Sequence, residues 1–98
     1  ANFSFAICQN ANFNLANCQN ANFTFAFCQN AYFGSANLKN TDWTDVISIA
    51  NANFRDADLT GAINLPDRIN TKVKFIAECG SSNVNAATKW IDGTNILS

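Results

Sequence analysis

The chain has no histidine and no methionine, a single proline, and few charged residues. Only 13% of its 98 residues are charged, six basic against seven acidic, which leaves a formal net charge of −1. This balance argues against the basic surface by which many proteins bind nucleic acids. Neither a nucleophile–base pair, a set of metal ligands nor a glycine-rich phosphate loop is recognisable. We therefore expect a protein that is not an enzyme and that binds neither a metal nor a cofactor.

A repeat of five residues dominates what is present. Asn and Ala are the commonest residue types and together make up about a third of the chain. Ala occurs at every fifth position from Ala1 to Ala36 without exception, and an aromatic residue, Cys or Leu follows it two places later. The first eight units read ANFSF, AICQN, ANFNL, ANCQN, ANFTF, AFCQN, AYFGS and ANLKN. After Trp43 the repeat resumes one residue late, at Phe54 and Leu59, which predicts one extra residue within 46–51 as a bulge or enlarged corner.

A period of five fits neither a helix nor a plain strand. An amphipathic helix needs apolar residues at i, i+3, i+4 and i+7, and a plain strand alternates without resetting. Two residues of each unit, spaced by two, point inward, and the polar residues between units let the chain turn. We therefore expect the chain to wrap around a narrow core.

These tandem A-N/D-F/L-x-x units resemble the pentapeptide-repeat family over about residues 1–65. The resemblance implies an all-β solenoid, a right-handed quadrilateral β-helix with four five-residue sides per coil and about three coils. Residues 66–98 are then expected to form a C-terminal capping segment. On the outside of such a coil, stacked Asn residues such as Asn2 over Asn22 are expected to form side-chain ladders.

Positions twenty residues apart stack in this arrangement and predict the core. Its residues are Phe3, Cys8, Phe13, Cys18, Phe23, Cys28, Phe33, Leu38, Trp43, Phe54 and Leu59. The Cys residues are interpreted as small apolar core residues, because their spacing of ten is two repeats and no CxxC motif or His accompanies them. A disulfide between Cys8 and Cys28 and the redox state of Cys79 stay open.

One corner of the predicted rod departs from the polar pattern. Phe5, Ile7, Phe25, Phe27 and Ile47 are expected to form a vertical apolar stripe, and Tyr32, an isolated exposed aromatic residue, is a further candidate interface residue. Contiguous apolar surface on a soluble protein usually marks a binding surface. The alternatives to a partner interface are a C-terminal tail folded over the stripe and side chains that lie against the rod.

The segment after residue 65 is predicted to contain a short helix over 66–79. Pro66 suits the first helical position, Ile69, Val73 and Ile76 form an apolar stripe, and Gly80 ends the helix. Solenoids need such a cap over the last coil. Near the end, residues 87–93 resemble the tail that follows the coils in many family members, with Trp90 as a lid.

The uncharged N-terminal half bears on function. The first charged residue is Lys39, whereas a solvated surface of this length normally carries several charges. We therefore predict a non-catalytic structural or protein–protein interaction module that binds a protein partner or another copy of itself, and no nucleic acid. The alternative is a DNA-mimicking modulator of DNA gyrase or another topoisomerase, a role of some family members. Asp42, Asp45, Asp56 and Asp58 would then matter, although Lys39 and Arg55 offset them.

The compartment is expected to be the thylakoid lumen, the periplasm or another exported location rather than the cytoplasm. The chain starts at Ala1 without a methionine, which suggests removal of a targeting sequence, and these locations are compatible with the family resemblance. No apolar run is long enough to span a membrane.

Overall fold

Parallel β-bridges join each coil of the chain to the next in the computed structural model, which describes residues 2–98. The bridges fall into four stacks, which we call sides 1 to 4. They run through Asn2, Asn22, Asp42 and Ile63; through Ile7, Phe27 and Ser48; through Asn12, Tyr32 and Asn53; and through Asn17, Asn37, Asp58 and Lys89. Between the first two coils each bridge joins positions four repeat units apart, so four five-residue sides make one turn of a β-helix-type solenoid. Coil 1 covers positions 2–20, coil 2 covers positions 21–40, and coil 3 covers positions 41–61.

The hydrogen bonds between coils have a direction. On side 2, the N–H groups of Cys8 and Asn10 donate to the carbonyl oxygens of Phe27 and Gln29, at 2.7 and 3.1 Å. One bond returns, from the N–H of Phe27 to the carbonyl of Ala6 at 3.0 Å. Each side of a coil therefore directs two N–H donors and one carbonyl acceptor toward the following coil in the chain. It directs two carbonyl acceptors and one N–H donor toward the preceding coil.

Every side ends in a tight turn that accounts for the repeat. The N–H of Ala6 donates to the carbonyl of Phe3 at 2.9 Å, and Phe5 between them adopts a left-handed conformation with φ 61°. Asn2 accepts a hydrogen bond from the N–H of Ser4 through its side-chain oxygen, at 2.9 Å. The same Asx turn recurs in most units, which explains Asn or Asp at the second place. Asn2 and Asn22 stack as predicted, but among the described residues no hydrogen bond joins their side chains, and Oδ1 of each accepts one within its own turn.

A bulge on side 2 contains the extra residue. Ile47 and Ser48 together face Phe27, because the N–H of Ile47 donates to the carbonyl of Ala26 while the N–H of Cys28 donates to the carbonyl of Ser48. From Ser48 onward the bridged partners lie one position further apart in the chain, as in the bridge between Tyr32 and Asn53. The predicted position within 46–51 is confirmed.

Stacked side chains fill the inside of the rod. Phe3, Phe23 and Trp43 stack with ring centroids 5.1 and 4.5 Å apart. Phe13, Phe33 and Phe54 form a second stack at 5.1 Å, edge-on to the first. Between the ring stacks lie two columns of smaller buried residues, Cys8, Cys28 and Ile49, and Cys18, Leu38 and Leu59. Alternation of large and small side chains fills a narrow interior without voids.

The C-terminal segment begins with a 3₁₀ turn, Asp67–Ile69, and continues in helix α1, Lys72–Cys79, and a second 3₁₀ turn, Ser81–Asn83. Pro66 therefore does not begin an α-helix, unlike in the predicted helix over 66–79. Thr71 caps α1 instead, since its hydroxyl accepts a hydrogen bond from the N–H of Lys74. Gly80 ends the helix with φ 100°, as the sequence predicts.

The buried face of α1 differs from the predicted one. Val73 is exposed, whereas Phe75 and Cys79, one helical turn apart, are buried. The ring of Phe75 packs on Phe54 at 4.9 Å and against Trp90 at 5.2 Å. Phe75 packs α1 against the end of a ring stack. The spacing of apolar residues in the sequence does not predict this contact.

Residues 88–91 add a further side to the last coil. The N–H of Lys89 donates to the carbonyl of Ala57, and the N–H of Leu59 donates to the carbonyl of Lys89, in the pattern of side 4. Thr88 is buried at the place that Ala occupies in most units. The end of the rod that follows coil 3 is therefore covered by α1 together with this added side.

Candidate interaction surface

Five apolar side chains lie at the corner between sides 1 and 2 and the adjoining face of side 2. We call this set the corner stripe, and its members are Phe5, Ile7, Phe25, Phe27 and Ile47. The rings of Phe5 and Phe25 stack with centroids 5.1 Å apart and planes 7° from parallel. Phe5 is 69% exposed, Ile7 79%, Phe25 37% and Ile47 43%, and Phe27 is half-buried. The exposure is largest at coil 1.

The backbone at this corner is one that large side chains avoid. Phe5 and Phe25 have φ values of 61° and 57°. A left-handed conformation costs an ordinary residue roughly 1–2 kcal/mol, and Asn adopts it more readily. Asn indeed occupies the same turn position at Asn10 and Asn30. Phenylalanine is unfavourable here for two reasons, because its backbone is left-handed and because its ring is exposed to water. Residues held in unfavourable backbone conformations cluster at functional sites.

The C-terminal segment does not cover the coil 1 part of the corner stripe. It packs on the end of the rod beyond coil 3, where Arg68 contacts the backbone of Ile47, whereas Phe5 and Ile7 belong to coil 1 at the other end. Their large exposed fractions show that no part of residues 2–98 lies over them. The coil 1 part of the corner stripe is therefore free to contact another molecule.

Five other large apolar residues are exposed, and two of them, Tyr32 and Leu15, lie on the first two coils apart from the corner stripe. Tyr32, which the sequence analysis groups with the interface residues, is on side 3 between Asn12 and Asn53. Leu15 is at the turn that ends side 3, 81% exposed with φ 63°. Leu15 has the backbone geometry of Phe5 without apolar neighbours of the same kind, so it is a matched comparison for the stripe.

The surface around the coil 1 and coil 2 part of the corner stripe is polar and uncharged. Gln9 and Gln29 form a side-chain hydrogen bond between coils at 3.4 Å. Among the described residues, one ion pair joins coil 2 to coil 3 and the other lies within the C-terminal segment. They join Lys39 to Asp58 at 3.8 Å and Arg68 to Glu78 at 2.9 Å.

Two acidic side chains of the later units, Asp42 and Asp58, accept hydrogen bonds within their own turns. The Thr44 hydroxyl donates to Asp42 at 2.6 Å and lowers the pKa of that carboxyl, assisted by the N–H of Thr44. Burial raises the pKa of Asp58, but hydrogen bonds from Thr60 and the charges of Lys39 and Lys89 together lower it below its ordinary value. These carboxylates are structural acceptors, and nothing couples them to an acid–base partner.

The four cysteines are buried and unpaired. Burial raises the pKa of the Cys28 thiol, and it raises the pKa of Cys79 to about 12. Such thiols are poor nucleophiles and poor metal ligands at neutral pH. Within residues 2–98, no three His, Cys, Asp or Glu side chains are grouped as metal ligands, and no cavity opens to the surface.

Sequence reasoning missed several residues that support this corner. Val46 and Ile49 are buried on either side of the bulge. They occupy the coil positions of Ala26 and Cys28, but the extra residue in the bulge obscures this correspondence in the sequence. Arg68 also escaped notice. Its guanidinium donates to the carbonyl oxygens of Val46 and Ile47 at 2.6 and 2.9 Å. Only the folded position of residue 68 relates it to the bulge.

The chain is similar to one family model and to a solved structure. A family model of pentapeptide repeats matches residues 16–46, with eight copies. Among solved structures, the chain is similar to a pentapeptide repeat protein from the thylakoid lumen of Arabidopsis thaliana. The identity is 25%, the match covers 67% of this chain and 52% of that chain, and the TM-score is 0.45. No curated protein sequence matches significantly. None of the helices within residues 2–98 is both long and apolar enough to cross a bilayer.

Proposed function

Since this chain carries the repeats of the pentapeptide-repeat family, whose members are generally non-catalytic, we propose that it is a structural or protein–protein interaction module. It binds a protein through the corner stripe and the uncharged surface of residues 2–38. The observation that carries the proposal is the pair of stacked, exposed rings of Phe5 and Phe25 on left-handed backbone. The right-handed sense of the coil, implied by the family resemblance, belongs to the same proposal.

The energetics of burial support a binding role. Removing one Phe side chain from water contributes about 1.5–3 kcal/mol. Aromatic residues at the centre of an interface commonly supply most of its binding energy. Phe5 and Phe25 are already stacked on each other, so little further conformational entropy is lost when a partner covers them. The rigid coils thus present a preorganised apolar ridge.

Paired variants test this proposal. Phe5→Asn with Phe25→Asn removes both rings but keeps a residue that tolerates the left-handed turn. Leu15→Asn makes the same chemical change at the opposite corner. We expect the parent and Leu15→Asn, immobilised on a support, to retain a specific protein from an extract of the source organism, and the double variant to lose it. Equal capture by all three proteins contradicts the corner stripe as the binding surface.

Modulation of DNA gyrase by DNA mimicry is the second candidate, and the observations that favour it are few. Asp42, Asp45, Asp56 and Asp58 are on the later units, but Asp58 is paired with Lys39, so the acids form no continuous column of free charge. A supercoiling assay with purified gyrase tests this function. Inhibition or protection that survives the Phe5→Asn, Phe25→Asn double change would favour DNA mimicry over the apolar interface.

The thylakoid lumen, the periplasm or another exported compartment is part of the proposal, because these locations are compatible with the family resemblance. Fractionation of the source cells, with detection by antibody, checks it. Recovery with the cytoplasmic fraction contradicts it.

A further inference from the structure

We infer that the corner stripe is a self-association surface, on which two copies of the chain pack side by side, stripe against stripe, about a two-fold axis. The inference rests on the proposed function and names its partner. A two-fold contact is isologous, so one surface must be complementary to itself. The corner stripe meets this condition in charge, in extent and in accessibility.

Charge favours a second copy. A two-fold axis brings identical surfaces together, so charged groups near the axis meet like charges and weaken the contact. Residues 1–38 carry no charged side chain, and the charges at the coil 3 end of the stripe are Asp45, close to Ile47 in sequence, and the ion pair of Arg68 with Glu78. When the two rods run antiparallel, these groups face the neutral coil 1 of the other copy.

The extent of the surface suits a reversible dimer. The exposed parts of Phe5, Ile7, Phe25 and Ile47 equal a little over two fully exposed large side chains, or roughly 450 Å² per copy. Contiguous apolar patches of this size are at the upper range for monomers and are commonly functional. With a rim from neighbours such as Gln9 and Gln29, the two copies together bury an area near the lower limit of specific interfaces, about 1,200 Å². We therefore expect moderate affinity.

The ends of the rod suit a second copy less well. The end after coil 3 is covered by α1 and residues 88–91. At the other end, each side of coil 1 presents two carbonyls for every N–H, as the bonds from coil 1 to coil 2 show for side 2. Two such ends placed together would oppose carbonyl to carbonyl and leave at least half of these acceptors without a donor. Unmade backbone hydrogen bonds in a buried contact oppose association.

Sedimentation equilibrium from micromolar to millimolar concentration tests the inference on three proteins. They are the parent, Leu15→Asn, and Phe5→Asn with Phe25→Asn. The parent should show a reversible monomer–dimer equilibrium, and Leu15→Asn should match it within about twofold. The double variant should dissociate with a constant raised at least about 100-fold, because each buried ring contributes tenfold or more. Circular dichroism and protection of the buried thiols confirm that every variant is folded.

The other outcomes overturn the inference in distinguishable ways. A parent that is monomeric at millimolar concentration excludes a second copy, while capture of another protein by the corner stripe would leave the proposed function intact. A dimer that survives in the double variant places the contact elsewhere. Equal dissociation of Leu15→Asn and the double variant shows that the effect is one of general hydrophobicity rather than of the stripe.

Discussion

Glu78 accepts a hydrogen bond from the backbone N–H of Ile49, with Oε2 and N 2.9 Å apart. In coil 2 the equivalent N–H, that of Cys28, donates to the carbonyl of Ser48 in the coil above. Coil 3 has no such neighbour on side 2, because the chain leaves the rod there for the cap. The carboxylate takes the place of the missing carbonyl, and Arg68, paired with Glu78 at 2.9 Å, donates to the free carbonyl oxygens of the bulge.

Glu78→Ala is expected to destabilise the protein by about 1–3 kcal/mol, because it leaves a buried N–H without an acceptor. Urea denaturation of the parent and the variant measures the difference. Glu78→Gln keeps an acceptor oxygen and should lose less. Equal losses for the two variants would show that the charge pair with Arg68, rather than the bond to Ile49, is what matters.

Leu15→Asn is expected to stabilise the protein by a few tenths of a kcal/mol to about 1 kcal/mol, because Asn relieves backbone strain at a left-handed position. Leu15 has φ 63° and is largely exposed, so the substitution gives up little buried surface. Thermal and urea unfolding detect the gain. A loss of stability would mean that Leu15 packs against its neighbours more than its exposure indicates.

Phe33→Ala is expected to cost about 3–5 kcal/mol, the usual range for removal of a buried ring. Phe33 is fully buried and contacts Phe13, Phe23, Trp43 and Phe54. Phe3→Ala, in half-buried coil 1, provides the comparison and should cost clearly less. Similar losses of free energy of unfolding at both sites would contradict a core whose packing strengthens away from coil 1.

Alkylation is expected to reach Cys8 and Cys18 before Cys28 and Cys79. Burial raises the pKa of all four thiols, and more strongly for Cys28 and Cys79. Cys8 and Cys18 belong to coil 1, which is packed on one side only, whereas Cys28 and Cys79 are fully buried. Iodoacetamide pulses followed by mass spectrometry give the rate at each thiol. The unfolded protein in urea is the control, in which all four rates should converge. Early labelling of Cys28 would indicate that the coils open together.

Stability is expected to fall in acid through Asp42 and Asp58. Their folded pKa values lie below the ordinary one, so the ionised carboxylates contribute stability above about pH 4, and this is lost as the pH falls through the folded pKa values. Urea unfolding at neutral pH and between about pH 4 and pH 2 measures the loss. Asp42→Asn with Asp58→Asn should flatten the dependence, because Asn22 makes the same turn without a charge. An unchanged slope in the double variant would assign the acid sensitivity to other groups.

The stacking within the corner stripe was predictable from the sequence, whereas the contacts that support the stripe were not. Phe5 and Phe25 were predicted to share a corner because positions twenty residues apart stack, and they do stack. Tyr32 was grouped with them on its exposure alone, and it lies on another side. The contact of Arg68 with Val46 joins residues separated by a non-repetitive segment, to which no periodic rule applies.

The five-residue unit and the position of the bulge can be read from the order of the residues, and the four sides per coil are what the resemblance to the pentapeptide-repeat family implies. Each unit closes its own turn through bonds between near neighbours, such as those of Asn2 with Ser4 and of Phe3 with Ala6, so local chemistry repeated at a fixed interval defines the register. How the rod ends depends instead on contacts that form only in the folded chain. Phe75, rather than Val73, meets the ring of Phe54, and Glu78 reaches Ile49, because these contacts depend on the path of a unique segment through space. Phe5 and Ile7 are left uncovered for the same reason, because the cap packs on the rings and backbone groups at the end of coil 3.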